Sequence, residues 1–320
     1  MDAHASRAYH RTLHDQAGSD VVLTGSICAL ATPFRHGDGA LDLDAFGRLI
    51  DAQLAGGTRA LVVAGSTGEA AALDDAEYSQ LVEHAVSRVA RRVPVLAGSG
   101  LPATAKTIAQ TRRAVAAGID FALVVAPAYV RPTQEGMYRH FSEVADHADV
   151  PIVLYNVPTR TACDLRPETV ARLAPHGNIV GIKEAVADEG RMRDLLALKN
   201  GSFAILSGDD PTAARALLAG ADGVISVAAN VAPAAFAQMC AACARGDRAG
   251  ALALDQRLQP LYEALGVEPN PIPLKWALSH LGFGDADVRL PLTGLNPSHH
   301  ATVAGALARL EVVEAAAAVG

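Results

Sequence analysis

The segment NIVGIKEA, residues 178–185, resembles a buried strand that ends in a charged side chain. Its apolar residues are continuous rather than alternating, which is typical of a parallel strand covered on both faces. Lys183 then places an ammonium group at the strand's end. Seven further segments share this apolar character: GSICALAT (25–32), ALVVAG (60–65), VPVLAG (93–98), DFALVVAP (120–127), VPIVLYN (150–156), FAILSG (203–208) and DGVISV (222–227). The chain therefore predicts eight buried parallel strands.

Helical patterns separate these strands, with one strand-and-helix step roughly every 25–35 residues. Gly56-Gly57 is a helix-stop signal, and Asp74 is a candidate N-cap. Asp210-Pro211 has the residue types that open a helix. Eight repeats of strand and helix predict an α/β fold, a closed (β/α)8 TIM barrel.

The eight strand-and-helix units predict a domain organisation of three parts. The barrel is expected to cover residues 24–245, and the helical patterns after it predict a C-terminal helical extension over residues 246–320. Residues 1–23 are polar and lack the apolar centre of a secretory signal. We interpret them as a mobile N-terminal extension.

The composition excludes several classes of protein. The chain has 320 residues, half of them apolar, which suffices for one large core. A net charge of −7 with scattered basic residues argues against a nucleic-acid partner. No run of about 18 uncharged apolar residues is present, so no membrane span is expected.

The cysteines favour a reducing, cytoplasmic location, because the chain has only four, at positions 28, 163, 240 and 243. Cys240 and Cys243 form a CxxC, but they lie in an Ala-rich helical pattern. Residues three apart share a helix face, so we expect two buried thiols rather than a redox or zinc pair. No metal ion is predicted.

A dinucleotide fingerprint is present in form only. Gly98, Gly100 and Ala103 spell GxGxxA between a strand and a helix. The fingerprint also requires an acid at the end of the following strand, and Asp120 lies at that strand's beginning. We interpret the glycines as a tight turn and predict no cofactor.

Lys183 is the strongest candidate for chemistry. In a TIM barrel, the carboxyl ends of the strands form the active face. Desolvation there disfavours an ammonium and favours a neutral amine, which can attack a carbonyl and form an imine. Pairing with Glu184 is disfavoured, since neighbours on a strand point to opposite faces. A lysine that extends to solvent is the remaining alternative.

Other polar residues follow neighbouring strands. Ser66 and Thr67, between glycines, could hold a carboxylate and relay a proton, or form a plain turn. Tyr155 could act as a general acid and base, or pack as a core aromatic. The Arg160 guanidinium could bind a second carboxylate with two parallel N–H donors, or it lies on the surface.

Three motifs in this order, GSTGEA (65–70), YNVPTRT (155–161) and GIKEA (181–185), resemble the family of 4-hydroxy-tetrahydrodipicolinate synthase and N-acetylneuraminate lyase. The resemblance extends from about residue 24 to past residue 295. The segments NVPTRTACDL and EPNPIPLKWA resemble the synthase branch most. The resemblance implies a lyase that condenses pyruvate with L-aspartate 4-semialdehyde in the diaminopimelate route to lysine. It also implies a homotetramer, built as a dimer of dimers.

The resemblance assigns a role to each candidate. Lys183 would form the imine with pyruvate. The predicted proton relay consists of Tyr155, Ser66 and, from a neighbouring subunit, Tyr129. The predicted substrate-binding residues are Thr67 for the pyruvate carboxylate, Arg160 for the aldehyde's carboxylate, and Gly208 and Ile225 for the pyruvate pocket.

The chain departs from the synthase pattern at a few positions. Ser66 replaces a usual threonine, Ala128 a common tyrosine and Val130 a common asparagine. Two alternatives therefore stay open, a related pyruvate-dependent lyase or aldolase with another aldehyde, and a non-catalytic ligand-binding paralogue. Intact Lys183 argues against the paralogue, and Arg160 favours a carboxylated aldehyde.

The resemblance also predicts insensitivity to feedback by L-lysine. Lys106 stands where inhibited relatives present an acid, Pro102 replaces an amide and Ala128 removes a phenol, whereas Asp75 restores one acid. The wall of the corresponding pocket would consist of Ala70, Ala71, Asp75, Tyr78, Pro102, Lys106 and Ala128.

Overall fold

A computed structural model describes residues 23–319, with side chains described through residue 310. The predicted N-terminal extension lies outside the described residues, except for Leu23. Within the described part, the strands form one closed, parallel barrel in chain order, and β8 pairs with β1. Each strand lies inside a predicted segment, so the predicted TIM barrel is confirmed. The strands are β1 (Gly25–Ala29), β2 (Ala60–Val63), β3 (Val95–Gly98), β4 (Phe121–Val125), β5 (Ile152–Asn156), β6 (Ile179–Glu184), β7 (Ala204–Ser207) and β8 (Gly223–Ser226).

Helices surround the barrel and continue beyond it. Helix α9 packs against β1, and α10 and α12 pack against α9, so the C-terminal helices cover one side of the barrel. The predicted boundary at residue 245 lies between α9 and α10. The helices are α1 (Leu43–Ala55), α2 (Asp75–Val89), α3 (Thr104–Ala116), α4 (Gln134–Asp146), α5 (Pro158–Thr161), α6 (Pro167–Leu173), α7 (Glu189–Leu196), α8 (Ala213–Leu218), α9 (Pro233–Ala244), α10 (Arg248–Leu265), α11 (Ile272–His280) and α12 (His300–Val319).

The predicted helix signals have clear physical roles. The carboxylate of Asp74 accepts hydrogen bonds from the backbone of Ala76 and Glu77, and the Glu77 side chain accepts from Asp74 N. This reciprocal capping box begins α2, as predicted. Asp210 differs from a simple helix start, because it lies in a 3-10 turn and accepts bonds from the backbone of Val227 and Ala228. It therefore ties the loop after β7 to the loop after β8.

The strands lie between two apolar layers, one inside the barrel and one beneath the helices. On β5, Ile152 and Leu154 belong to the outer core beneath the helices, whereas Val153 and Tyr155 belong to the cluster inside the barrel. This alternation is the ordinary consequence of strand geometry. It directs Tyr155 inward and leaves Asn156 on the outer side.

The glycines of the GxGxxA motif serve barrel packing. A Cβ atom at Gly98 would lie 2.2 Å from the carbonyl oxygen of Ala64, and one at Gly100 would lie 2.4 Å from the backbone nitrogen of Val125. Asp120 accepts a hydrogen bond from Val95 N at the opposite end of β3. The motif is thus a turn that lets neighbouring strands approach closely.

The CxxC pair lies on helix α9. Burial raises the pKa of both Cys240 and Cys243, and neither forms a disulfide. A raised pKa keeps a thiol protonated and unreactive. Among residues 23–319, no helix is long and apolar enough to cross a membrane.

Candidate active site

Lys183 and Tyr155 lie side by side at the carboxyl ends of β6 and β5. The two residues are register partners in the sheet, and both are buried, with 5 % and 7 % of their surface exposed. The Nζ atom of Lys183 lies 4.3 Å from the centre of the Tyr155 ring. The pairing register of two parallel strands therefore brings the predicted amine and the predicted phenol together.

Glu184 points away from this pair and has its own partners. Its carboxylate accepts hydrogen bonds from Arg191 Nε at 2.7 Å, from Val186 N at 2.8 Å and from the side-chain amide of Asn156 at 3.1 Å. Burial raises the pKa of Glu184, and Arg191 opposes that shift. Among the described side chains, no carboxylate forms an ion pair with Lys183. Its amine is thus buried without a counter-ion.

The two predicted pocket residues, Gly208 and Ile225, lie on the inner side of the barrel. A Cβ atom at Gly208 would lie 2.9 Å from both Cγ and Cε of Lys183, so only glycine leaves room for the lysine stem. Ile225 is 1 % exposed and belongs to the same inner cluster as Tyr155. The structure thus places Gly208 next to the predicted nucleophile, and Ile225 in the inner cluster that contains the predicted phenol.

Thr67 and Arg160 are linked through Asn270, which the sequence did not reveal as a site residue. The Asn270 side-chain amide donates to Thr67 Oγ1 at 3.0 Å, and its backbone carbonyl accepts from Arg160 Nη2 at 3.0 Å. Thr67 is buried, whereas Arg160 is exposed at the rim. The two predicted carboxylate-binding residues therefore stand on either side of one asparagine from the C-terminal extension.

Ser66 and Tyr129, the other two residues of the predicted relay, are both exposed in the single chain. Ser66 is exposed, and the Tyr129 side chain is 91 % exposed. Tyr129 also has a φ of 72°, in the left-handed region that residues other than glycine seldom adopt. Its backbone is held there by a hydrogen bond from its N to Thr161 O. The loop after β4 thus projects a tyrosine away from its own barrel.

Lys275 is a second buried lysine, and its surroundings differ from those of Lys183. Its Nζ atom lies 2.6 Å from Glu69 Oε1 and 4.1 Å from the centre of the Phe34 ring. Burial lowers the pKa of Lys275, and the Glu69 carboxylate opposes that shift. Lys275 is committed to an ion pair.

The arrangement at the barrel mouth is suited to amine chemistry on a carbonyl compound. Lys183 provides a buried amine, Tyr155 provides a phenol beside it, and Thr67 and Arg160 are polar groups at two edges of the same face. An amine that attacks a carbonyl needs a neighbouring group to move protons. Within residues 23–310, no cluster of three metal-ligating side chains is present.

Comparison with known proteins gives a consistent result. The model of the Dihydrodipicolinate synthetase family matches residues 22–310. A 4-hydroxy-tetrahydrodipicolinate synthase of Stenotrophomonas maltophilia (strain K279a) is 58% identical over 294 residues, which cover 91% of this chain and 98% of that protein. This similarity extends over nearly the whole described structure.

Solved structures agree with the sequence comparison. The chloride-inhibited dihydrodipicolinate synthase from Acinetobacter baumannii, complexed with pyruvate, superposes with a TM-score of 0.89 at 40% identity, covering 91% of this chain and 100% of that one. A monomeric dihydrodipicolinate synthase variant has a TM-score of 0.88 at 38% identity, covering 90% and 97%. The fold is therefore shared with solved dihydrodipicolinate synthases.

Proposed function

We propose that this chain, which belongs to the dihydrodipicolinate synthetase family and is a lyase, condenses pyruvate with L-aspartate 4-semialdehyde. The reaction proceeds through an imine on Lys183. The product is 4-hydroxy-tetrahydrodipicolinate, and the pathway is the diaminopimelate route to lysine. The observation that carries the proposal is the buried Lys183 amine, 4.3 Å from the Tyr155 ring centre and without a carboxylate partner in the described structure.

The first half of the reaction builds a carbon nucleophile. The Lys183 amine adds to the ketone carbon of pyruvate, and loss of one water gives the protonated imine. The imine draws electrons from the adjacent methyl group, which gives up a proton to the Tyr155 relay and becomes an enamine. The Lys183 nitrogen is the electron sink, so the proposed chemistry uses neither a cofactor nor a metal ion.

The second half joins the two substrates and frees the enzyme. The enamine carbon attacks the aldehyde carbon, and the aldehyde oxygen takes a proton from the relay to become a hydroxyl group. The amino group of the semialdehyde then attacks the imine carbon and displaces the Lys183 amine, which closes the ring. One water is released over the whole cycle, and the lysine returns unchanged.

Thr67 and Arg160 hold the two carboxylates in this scheme. Thr67 is buried beside the barrel mouth, and we assign it, with nearby backbone N–H groups, to the carboxylate of pyruvate. Arg160 lies at the rim, where its Nη2 donates to Asn270 O, and a guanidinium has further donors for the carboxylate of the semialdehyde. A sugar-type aldehyde has no carboxylate in that place.

The proton relay is completed by a second copy of the chain. Tyr129 is 91 % exposed, on a loop that projects from the carboxyl face of its own barrel. We propose that it enters the site of a neighbouring subunit and joins Ser66 and Tyr155, in a homotetramer built as a dimer of dimers. The cytoplasm is the proposed location.

Trapping with borohydride tests the proposal directly. Pyruvate followed by borohydride should add one reduced pyruvyl group, located by peptide mass spectrometry on Lys183. Lys183→Ala should abolish the adduct. An adduct on Lys275, or none, would refute the mechanism. A panel of aldehydes then separates the synthase from the alternative lyase, since only the synthase prefers L-aspartate 4-semialdehyde, and a non-catalytic paralogue turns over none.

A further inference from the structure

The loop that carries Ser66 and Thr67, residues 65–69, is fastened to the C-terminal helical extension by a buried ion pair. We propose that Glu69 and Lys275 are positioning residues, which hold this hydroxyl loop in the conformation that pyruvate binding requires. This inference rests on the proposed function, since it assigns Thr67 and its neighbours to the pyruvate carboxylate.

Glu69 closes the hydroxyl loop in a conformation that needs support. Its φ of 51° and ψ of 38° lie in the left-handed region, which is costly for a residue with a side chain. Its backbone nitrogen donates to Ser66 O at 3.2 Å, so a shift of Glu69 moves Ser66 and Thr67 with it. The position of the two hydroxyl groups therefore depends on how firmly Glu69 is held.

Among the described residues, both partners of the Glu69 carboxylate lie in the C-terminal extension. Oε1 lies 2.6 Å from Lys275 Nζ, and Oε2 accepts a hydrogen bond from Arg289 N at 3.0 Å. Only 2 % of either side chain of the ion pair is exposed. Because removal of one partner leaves the other as an unpaired buried charge, the pair resists separation.

Lys275 is itself held rigidly. Its ammonium lies over the Phe34 ring, which also contacts the Arg289 guanidinium at 4.2 Å. Arg289 in turn donates to both carboxylate oxygens of Glu77 at the beginning of α2. Helix α11, which carries Lys275, begins two residues after Asn270, the residue that donates to Thr67 Oγ1. The extension thus reaches the hydroxyl loop at two points, one on a carboxylate and one on a hydroxyl.

This arrangement predicts an effect on substrate affinity that a purely structural ion pair would not have. Without Lys275, the Glu69 carboxylate would be drawn toward solvent. The loop would then rotate Thr67 away from the pyruvate carboxylate. The Lys183 amine, on β6, would remain in place.

Lys275→Met tests the proposal against a matched control. Lys199→Met removes a lysine from another ion pair, with Asp222 at 2.8 Å, near the opposite end of the barrel. The full chain is titrated with pyruvate, and the half-saturating concentration for borohydride trapping on Lys183 is measured. We expect Lys275→Met to raise that concentration roughly ten- to hundred-fold, as for other small misplacements of binding groups. Lys199→Met should leave it within about twofold.

Glu69→Gln provides a second variant in case Lys275→Met does not fold. The glutamine keeps an acceptor for Arg289 N but removes the charge that holds Lys275, so we again expect weaker pyruvate trapping. If the foldable variants lose thermal stability yet trap pyruvate at the wild-type concentration, the pair is only structural and the proposal is overturned. Absence of any adduct in the wild-type protein would refute the proposed function itself, and this inference with it.

Discussion

Gly208 gives the sharpest test of the geometry around Lys183. A methyl group added at this position would lie 2.9 Å from Cγ and Cε of Lys183 and 3.2 Å from Cβ of Ala185. Carbon atoms in contact are normally about 3.5–4.0 Å apart. The backbone of Gly208 is fixed by its hydrogen bond to Glu184 O at 2.7 Å. In Gly208→Ala the lysine stem therefore has to move, by roughly 0.6–1 Å.

The expected loss follows from that displacement. A misplacement of about 1 Å can lower a rate on the order of a hundredfold, because the reacting atoms no longer meet in line. Overpacking of this kind costs about 1–3 kcal/mol of stability, which a domain of this size can tolerate. We therefore expect Gly208→Ala to remain folded and to form the pyruvate imine about a hundredfold more slowly.

The assay is the rate of borohydride-trapped adduct at saturating pyruvate, read by intact mass, together with the melting temperature. Gly177→Ala is the matched control, because an added Cβ there meets nothing within 4 Å. That variant should form the adduct at the wild-type rate. If Gly208→Ala also traps pyruvate at the wild-type rate, the space at Gly208 does not confine the lysine stem.

Three further outcomes are expected. Arg160→Ala should lower turnover of L-aspartate 4-semialdehyde at least about tenfold, through loss of a charge-assisted partner, whereas pyruvate trapping persists; unchanged turnover would contradict its role. Burial lowers the pKa of His140 to about 4, so the unfolded chain binds this proton first as the pH falls. Stability should therefore decrease from about pH 6.5 to pH 4, by about 3 kcal/mol in total, and His140→Gln should flatten that part of the plot of melting temperature against pH. Millimolar L-lysine should not inhibit the enzyme, because Asp75 is already ion-paired with Arg113 and Lys106 adds a positive charge to the pocket where L-lysine would bind. A saturable thermal shift with L-lysine would contradict this.

The barrel and its central pair could be predicted because both depend on local patterns. Continuous apolar segments mark strands buried on two faces, and each segment ends where the chain turns to a helix. The alternation of side chains then separates Lys183 from Glu184 without any knowledge of the partners. In the structure, Glu184 binds Arg191 on the outer side, as that alternation requires.

The supports of the site could not be predicted, because they join residues far apart in the chain. Asn270 donates to Thr67 across 203 positions, and Lys275 pairs with Glu69 across 206. Nothing in a local pattern specifies such a contact, which depends on how the C-terminal helices lie on the barrel. The exposure of Tyr129 is a similar case, since its place in the proposed relay depends on a second copy of the chain.

Lys183 and Lys275 show why burial alone does not identify a nucleophile. Both side-chain nitrogens belong to buried residues, and both lie about 4 Å from the centre of an aromatic ring. The difference is the carboxylate 2.6 Å from Lys275, which favours the charged form and occupies the nitrogen. Lys183 has a phenol beside it and, among the described residues, no counter-ion. The Lys183 nitrogen is therefore open to a carbonyl compound, whereas the Lys275 nitrogen is occupied by its ion pair with Glu69.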